Sequence, residues 1–182
     1  MGRVVGLEEL VRRREEARRE GRTTVFTNGH FDLLHVGHLR YLAAARALGD
    51  LLIVALNDDA GTARLKGPLR PIVPEGERAE SLAALAAVDY VTLFEEDTPA
   101  ALIAALRPEV YVKGGDYTAA PGQGGKPLPE AAIVRGYGGE VRVLPLTPER
   151  STSGLIERIL ARYCPAPLSP PNSGGQPGEG GG

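Results

Sequence analysis

Thr23-Thr24-Val25-Phe26-Thr27-Asn28-Gly29-His30-Phe31-Asp32-Leu33-Leu34-His35-Val36-Gly37-His38 is the stretch that decides the fold. Thr23 to Thr27 is a short β-rich run that reads as a buried strand, and Asn28-Gly29 reads as the turn that ends it. A helix follows from about Val36 to Leu48, with Gly49 as its stop. Strand, turn and helix start therefore lie within one short run. In open α/β sheets ligands bind at such strand ends, and a helix N-terminus offers free N–H groups to an anion. Gly29 and Gly37 let a bulky phosphate approach the backbone. His35 and His38, three apart, project from one side of the helix start, where two imidazoles can donate to phosphoryl oxygens. The same pair is open to blander readings, as an incidental spacing or as metal ligands. The second lacks support, because no Cys/His spacing pattern accompanies the pair.

Outward from this segment, strands and helices alternate. Residues 7 to 20 read as a charged helix with a thin apolar stripe, Leu51 to Leu56 as a strand, and Asn57 to Pro74 as a polar loop broken by Gly and Pro. Helices are expected over 75–87, from Pro99 (capped by Thr98) to Arg107, near 131–137, and from about Ser153 to Tyr163. Strands are expected at 90–94, 110–112 and 140–144, and 118–129 reads as a surface loop. Such alternation predicts a single α/β domain, a Rossmann-like parallel sheet with helices on both faces. Residues 1–22 are expected as an N-terminal helical extension, 23–163 as the domain, and 164–182, rich in Pro and Gly, as a disordered tail.

The bulk numbers narrow the function. The chain has 182 residues and a formal net charge of -2, so no global basic field points to nucleic acid and any anion must be held by a local site. No run approaches the ~20 apolar residues of a membrane span, and the N-terminus lacks a signal-like stretch. With one cysteine, Cys164, the chain fits a reducing compartment, and the cytoplasm is the expected location.

Asn28-Gly29-His30-Phe31-Asp32 followed by His35-Val36-Gly37-His38 resembles the signature of the cytidylyltransferase-like nucleotidyltransferases. The similarity continues through Arg64-Leu65-Lys66-Gly67-Pro68, Arg70-Pro71-Ile72-Val73-Pro74, Arg78, Val88-Asp89-Tyr90-Val91, Asp97-Thr98-Pro99, Arg107-Pro108, Val112-Lys113-Gly114-Gly115-Asp116-Tyr117, Tyr137-Gly138-Gly139-Glu140-Val141 and Arg150-Ser151-Thr152. Over residues 5 to 163 it is similar to the branch that adenylylates D-glycero-β-D-manno-heptose 1-phosphate. In many bacteria this domain is one half of a fused kinase–adenylyltransferase; here it resembles the stand-alone form. At position 30 the branch commonly has Cys and the cytidylyl branch Thr, whereas this chain has His30.

The resemblance implies roles. His35, His38, Lys66 and Arg150 would be catalytic. Thr27, Asn28, Gly29, Phe31, Gly37, Gly114, Gly115, Asp116, Ser151, Thr152 and Ser153 would bind the nucleotide, and His30, Asp32 and Arg78 the acceptor. Mg2+ would arrive with ATP, with no protein cage for a metal. The partners would be ATP and a sugar 1-phosphate, with neither nucleic acid nor membrane, and a homodimer stays open. Read without the resemblance, Arg150 to Ser153 is equally a helix cap, Lys113 to Asp116 a strand-ending turn, and Lys66 a solvated side chain. Two rival functions stand beside the adenylyltransferase: a cytidylyltransferase acting on glycerol 3-phosphate or a similar alcohol phosphate, and a nucleotide-binding sensor without catalysis.

Overall fold

The computed structural model describes residues 1–115, 117–118, 126–145 and 151–164. Asp116, Arg150 and the tail from 165 onward therefore lie outside the described residues. Among the described residues the core is a six-stranded sheet, every pair of which runs parallel. The strands are β1 (Arg3–Val4), β2 (Thr24–Gly29), β3 (Leu51–Asn57), β4 (Tyr90–Phe94), β5 (Val110–Gly114) and, at the far edge, β8 (Glu140–Leu144). Their order across the sheet is β1-β4-β3-β2-β5-β8. A second, two-stranded ladder joins β6 (Tyr117–Thr118) to β7 (Lys126–Pro127).

Strand periodicity explains the two helical layers. Val25, Leu52, Val54, Leu56, Val110 and Val112 point to one face and pack under α2 (Val36–Arg46) and α4 (Glu75–Ala83) through Leu42, Ala45, Ala79 and Leu82. Their neighbours Phe26, Ile53, Ala55 and Tyr111 point to the other face. There they meet α1 (Leu7–Arg19), α5 (Ala100–Leu106) and α6 (Glu130–Gly136) through Leu10, Leu102, Ile103, Ala131 and Val134. β3 is buried along its whole length, as a central parallel strand must be. The N-terminal segment joins this scheme: β1 pairs with β4, and α1 buries Leu10, Arg14 and Ala17. The Arg14 guanidinium donates to Glu109 Oε1 at 2.6 Å and to the Arg107 carbonyl at 2.7 Å, while Glu109 Oε2 accepts from the Thr24 amide at 2.9 Å.

Several local expectations are corrected. Asn28 and Gly29 are the last residues of β2, in register with Ala55 and Leu56 of β3, and are no turn. The stretch 57–74 is no continuous loop, for it contains α3 (Asp59–Lys66). The Asp58 carboxylate caps α3, accepting from the Gly61 amide at 2.6 Å, which offsets the poor helix propensity of Gly61 and Thr62. Thr98 does not cap α5; Pro99 holds the cap position itself, without a side-chain bond. The last helix, α7 (Thr152–Tyr163), starts one residue early because Ser151 caps it. No described helix is long and apolar enough to cross a membrane.

After the edge strand β1 and helix α1, the chain crosses to the centre of the sheet with β2, runs outward through β3 and β4, then returns to lay β5 against the other side of β2. β2 and β5 thus flank the point where the winding reverses. Connections leave in opposite directions there, and a crevice opens at the carboxyl ends of the two strands.

Candidate active site

A cleft of about 540 Å3 occupies that crevice. β2 contributes Asn28 and Gly29 and β5 contributes Lys113 and Gly114. The β2–α2 connection adds His30, Phe31 and His35, α2 adds Gly37, His38 and Tyr41, α3 adds Lys66, and the start of α7 adds Ser151 and Thr152. Most residues expected at the site from sequence therefore meet in one cavity, although they come from both ends of the chain.

His35 is the N-cap of α2, and its Nδ1 accepts from the Gly37 amide at 3.1 Å. With Nδ1 an acceptor, the proton of the neutral ring sits on Nε2. The His38 ring stacks on His35, centroids 3.9 Å apart and planes 23° from parallel. Phe31 lies against the His38 ring at 5.4 Å. Burial lowers the His38 pKa to about 4; the neighbouring His35 adds to this, and the Leu33 carbonyl opposes it. His38 is thus held neutral, stacked on His35 at a helix N-terminus. Phe31 adopts φ 44°, a costly backbone for a bulky residue, which brings its ring beneath Gly29. A Cβ at Gly29 would come within 2.9 Å of that ring. The glycine is therefore required by Phe31 as well as by any approaching phosphate.

At the start of α7, Ser151 caps the helix by accepting from the Gly154 amide at 3.0 Å, and the Thr152 hydroxyl reaches the Leu33 carbonyl at 3.5 Å. The N-termini of α2 and α7 both border the cleft, so two partial positive charges converge with Lys66 and Lys113 on one cavity. Lys66 is the last residue of α3 and stands on a helix, not on a loop. The His30 Nδ1 lies 3.0 Å from the Thr62 hydroxyl. Burial lowers its pKa to about 4, and Lys66, Lys113, Arg78 and Arg70 push the same way.

Other expected residues stand behind the wall. The Thr27 hydroxyl is 2.7 Å from that of Tyr41, which donates to the Val112 carbonyl at 3.2 Å and so ties β2, α2 and β5 beneath the cleft floor. Asp32 and Arg78 do not line the cavity. Asp32 accepts from the Arg70 guanidinium at 2.5 Å and from the amides of Ile72 and Val73 at 2.8 and 2.9 Å. Burial alone would raise its pKa, but the Val73, Arg70 and Ile72 donors outweigh it and hold the carboxyl below its ordinary range. Arg78, buried, donates to the carbonyls of Val73 at 2.9 Å and His30 at 2.5 Å and to Asp59 Oδ1 at 2.7 Å. Together these two side chains clasp the segment after α3 to the His30–Asp32 bend. Gly115 and Ser153 also lie off the cavity lining.

The cleft also holds residues that sequence reasoning passed over. Lys113 is deeply set in it, with Nζ 2.9 Å from Asn28 Oδ1 and lying over the Tyr117 ring. Glu130, at the start of α6, is buried and faces the same cavity. A lysine directly after the apolar run Val110-Tyr111-Val112, within the same strand, was the available signal for the first. Nothing in the sequence marks the second. Among the described residues, no group of three or more His, Cys, Asp or Glu side chains is arranged to hold a metal ion.

A parallel sheet with a donor-lined cleft at its reversal point, and a His-x-Gly-His helix start beside it, defines a nucleotidyltransferase of the α/β type. The chain belongs to the cytidylyltransferase-like family, whose model matches residues 26–158. It is 56% identical over 153 residues to the bifunctional protein HldE of Syntrophotalea carbinolica, an alignment covering 82% of this chain and 29% of that protein. To the bifunctional protein HldE of Azotobacter vinelandii it is 53% identical over 156 residues, 86% of this chain and 32% of that one. The chain thus spans about a third of the length of these curated relatives. Among solved structures it is similar to the lipopolysaccharide core biosynthesis protein from Thermoplasma volcanium (TM-score 0.54, 28% identity, 70% of this chain and 98% of that one). The pantothenate synthetase of Thermus thermophilus shares the fold at 16% identity, with a TM-score of 0.52 over 81% of this chain and 63% of that one.

Proposed function

We propose that this nucleotidyltransferase is an adenylyltransferase that joins ATP to D-glycero-β-D-manno-heptose 1-phosphate and releases pyrophosphate. The observation that carries the reading is the 56% identity to a bifunctional HldE over 82% of this chain. In this reading a phosphate oxygen of the sugar phosphate attacks the α-phosphorus of ATP in line. The new O–Pα bond forms as the bond from Pα to the bridging oxygen breaks, and pyrophosphate leaves with the electron pair. No side chain need act as a nucleophile. The chain's work is to orient two anions and to stabilise charge as it moves onto the leaving group.

His35 and His38 suit that task as imidazole donors at the α2 start. Lys66 and the α7 start, with Ser151, Thr152 and in our reading Arg150, would meet the remaining phosphate oxygens. Asn28, Gly114 and Asp116 would face the nucleotide. Mg2+ would arrive on the phosphates, whose oxygens supply most of its ligands.

The test is pyrophosphate release across the four nucleoside triphosphates with a panel of sugar and alcohol phosphates. With heptose 1-phosphate, ATP should exceed CTP by at least about tenfold in kcat/KM, the scale set by mismatched hydrogen bonds at a base edge. Glycerol 3-phosphate should be a poor acceptor. Efficient CTP-dependent turnover of glycerol 3-phosphate would overturn the substrate assignment and leave the nucleotidyltransferase standing.

A further inference from the structure

The Asn28 side chain lines the cleft at the end of β2, and two β5 residues grip it from behind. The Tyr111 hydroxyl donates to Asn28 Oδ1 at 3.0 Å, and the Lys113 ammonium donates to the same oxygen at 2.9 Å and to the Asn28 carbonyl at 3.3 Å. An amide oxygen has two lone pairs, an ammonium can only donate, and burial keeps the Tyr111 phenol protonated by raising its pKa. Both lone pairs of Oδ1 are therefore occupied from within the protein. A flipped amide would set its NH2 against an ammonium, two donors face to face.

We propose that Tyr111 and Lys113 are positioning residues that lock the Asn28 amide with its oxygen inward and its NH2 toward the cleft, as a fixed donor to a phosphate oxygen of the bound nucleotide. Turning a reversible amide into a donor of one sense removes the cost of reorienting it when charge arrives, which is the value of a preorganised site. The proposal rests on the reading of the cleft as a nucleotide site.

Direct calorimetric titration with ATP and with CTP tests it without an acceptor. For whichever nucleotide the wild-type protein binds, Asn28→Asp keeps an acceptor for both β5 donors but presents an acceptor to the phosphates. It should lose at least about tenfold in affinity, the scale of a hydrogen bond to a charged group, with no fall in Tm. Lys113→Met should cost about tenfold in the wild-type background and nothing further in an Asn28→Ala background, because the lysine acts through the amide. Lys113→Arg, still a donor only, should restore most of the loss. Tyr111→Phe, which removes one hydroxyl, should weaken binding severalfold and serves if Lys113→Met fails to fold.

A pH series supplies a readout that a purely structural role would not move. Burial lowers the Lys113 pKa to about 8, with Glu130 of α6 opposing and Lys66 of α3 assisting; the Tyr117 ring of β6 and Asn28 of β2 also face the ammonium. Above about 8 the amine can accept as well as donate, so the grip loosens. Nucleotide affinity should then fall in wild type and hold in Lys113→Arg. Equal losses from Lys113→Met in both backgrounds, or an Asn28→Asp protein that binds like wild type, would overturn the proposal. A wild-type protein that binds no nucleoside triphosphate would overturn the nucleotide-site reading itself.

Discussion

Replacing Arg78 by Met separates the acceptor binding that the resemblance implies from the support that its hydrogen bonds supply. The side chain is 0% exposed and makes three hydrogen bonds, to the carbonyls of Val73 and His30 and to Asp59. Methionine fills much of the same volume, so the main loss is polar. Asp59 is 44% exposed and regains water when the guanidinium goes, so its share is about 1 kcal/mol or less. The two carbonyls lose charge-assisted donors worth roughly 1.5–3 kcal/mol each, a sum that overstates non-additive bonds. A net loss of about 3–5 kcal/mol, the range for breaking a buried charged network, is expected. At roughly 2–4 °C per kcal/mol for a chain of this size, Tm should fall by about 10 °C. Arg78→Lys should recover part of the loss, since one ammonium cannot reach three acceptors set around a planar fork. Thermal melts followed by circular dichroism give the Tm, and kinetics well below the transition give KM for each substrate. A Tm within about 2 °C of wild type, coupled to a tenfold rise in the acceptor KM, would refute the supporting role and return Arg78 to the substrate.

The histidine pair should divide on mutation. His38→Ala should lose about 10²–10³ in kcat, the scale of one transition-state donor, with little change in Tm; near-wild-type turnover in a single-turnover assay would remove His38 from the chemistry. His35→Ala should lose activity too, but also about 1 kcal/mol of stability, because the same side chain caps α2. Equal Tm values for the two variants would argue against the cap. Gly29→Ala should destabilise by about 1–3 kcal/mol, since its Cβ would press on the Phe31 ring at 2.9 Å. It should also raise the KM for nucleotide, and a melt and a KM determination check both.

The legible parts of the fold were those governed by periodicity. β2, β3 and β5 announce themselves because buried parallel strands are apolar runs, and the His35–His38 spacing announces the site because a helix start fixes where two side chains three apart can point. α3 was hidden because Gly61 and Thr62 weaken the local signal, while the Asp58 cap and burial of Thr62 that sustain it are only partly local. β1 is two residues long and exists by pairing with β4, which no local pattern encodes. The setting of Asp32 was hidden for a related reason: its partners Arg70, Ile72 and Val73 come from the segment after α3 and enclose it. Lys113 was overlooked in the opposite sense, since a charge in an apolar strand is costly unless something receives it, and here Asn28 does.

The protonation of the histidines can be read directly, because the chain has only three, His30, His35 and His38, and single substitutions assign each ring resonance. Burial lowers the pKa of both His30 and His38 to about 4 from an ordinary value near 6.5. In the ligand-free protein their resonances should stay at the neutral position from pH 8 down to about pH 5. The linkage follows in sign. Between about 6.5 and 4 the unfolded chain binds protons that the folded one refuses, so these two rings add stability above about 6.5 that is lost as pH falls toward 4. The chemistry follows as well. In the proposed reaction His38 would enter at neutral pH as a one-proton donor and not as an imidazolium, and would hold a phosphoryl oxygen without carrying a buried charge beforehand. Bound ATP brings the missing anion and should raise the His38 pKa markedly, through the same desolvated surroundings that lower it when the cleft is empty. Melting temperatures from pH 8 to 4, for wild type and for His38→Ala, provide the companion measurement: the variant should lose stability less steeply below 6.5. A His38 resonance that titrates near 6.5 in the free protein, or that does not move when ATP binds, would show that the stacked pair is solvated and remote from the phosphates, and the donor role assigned to it would fall.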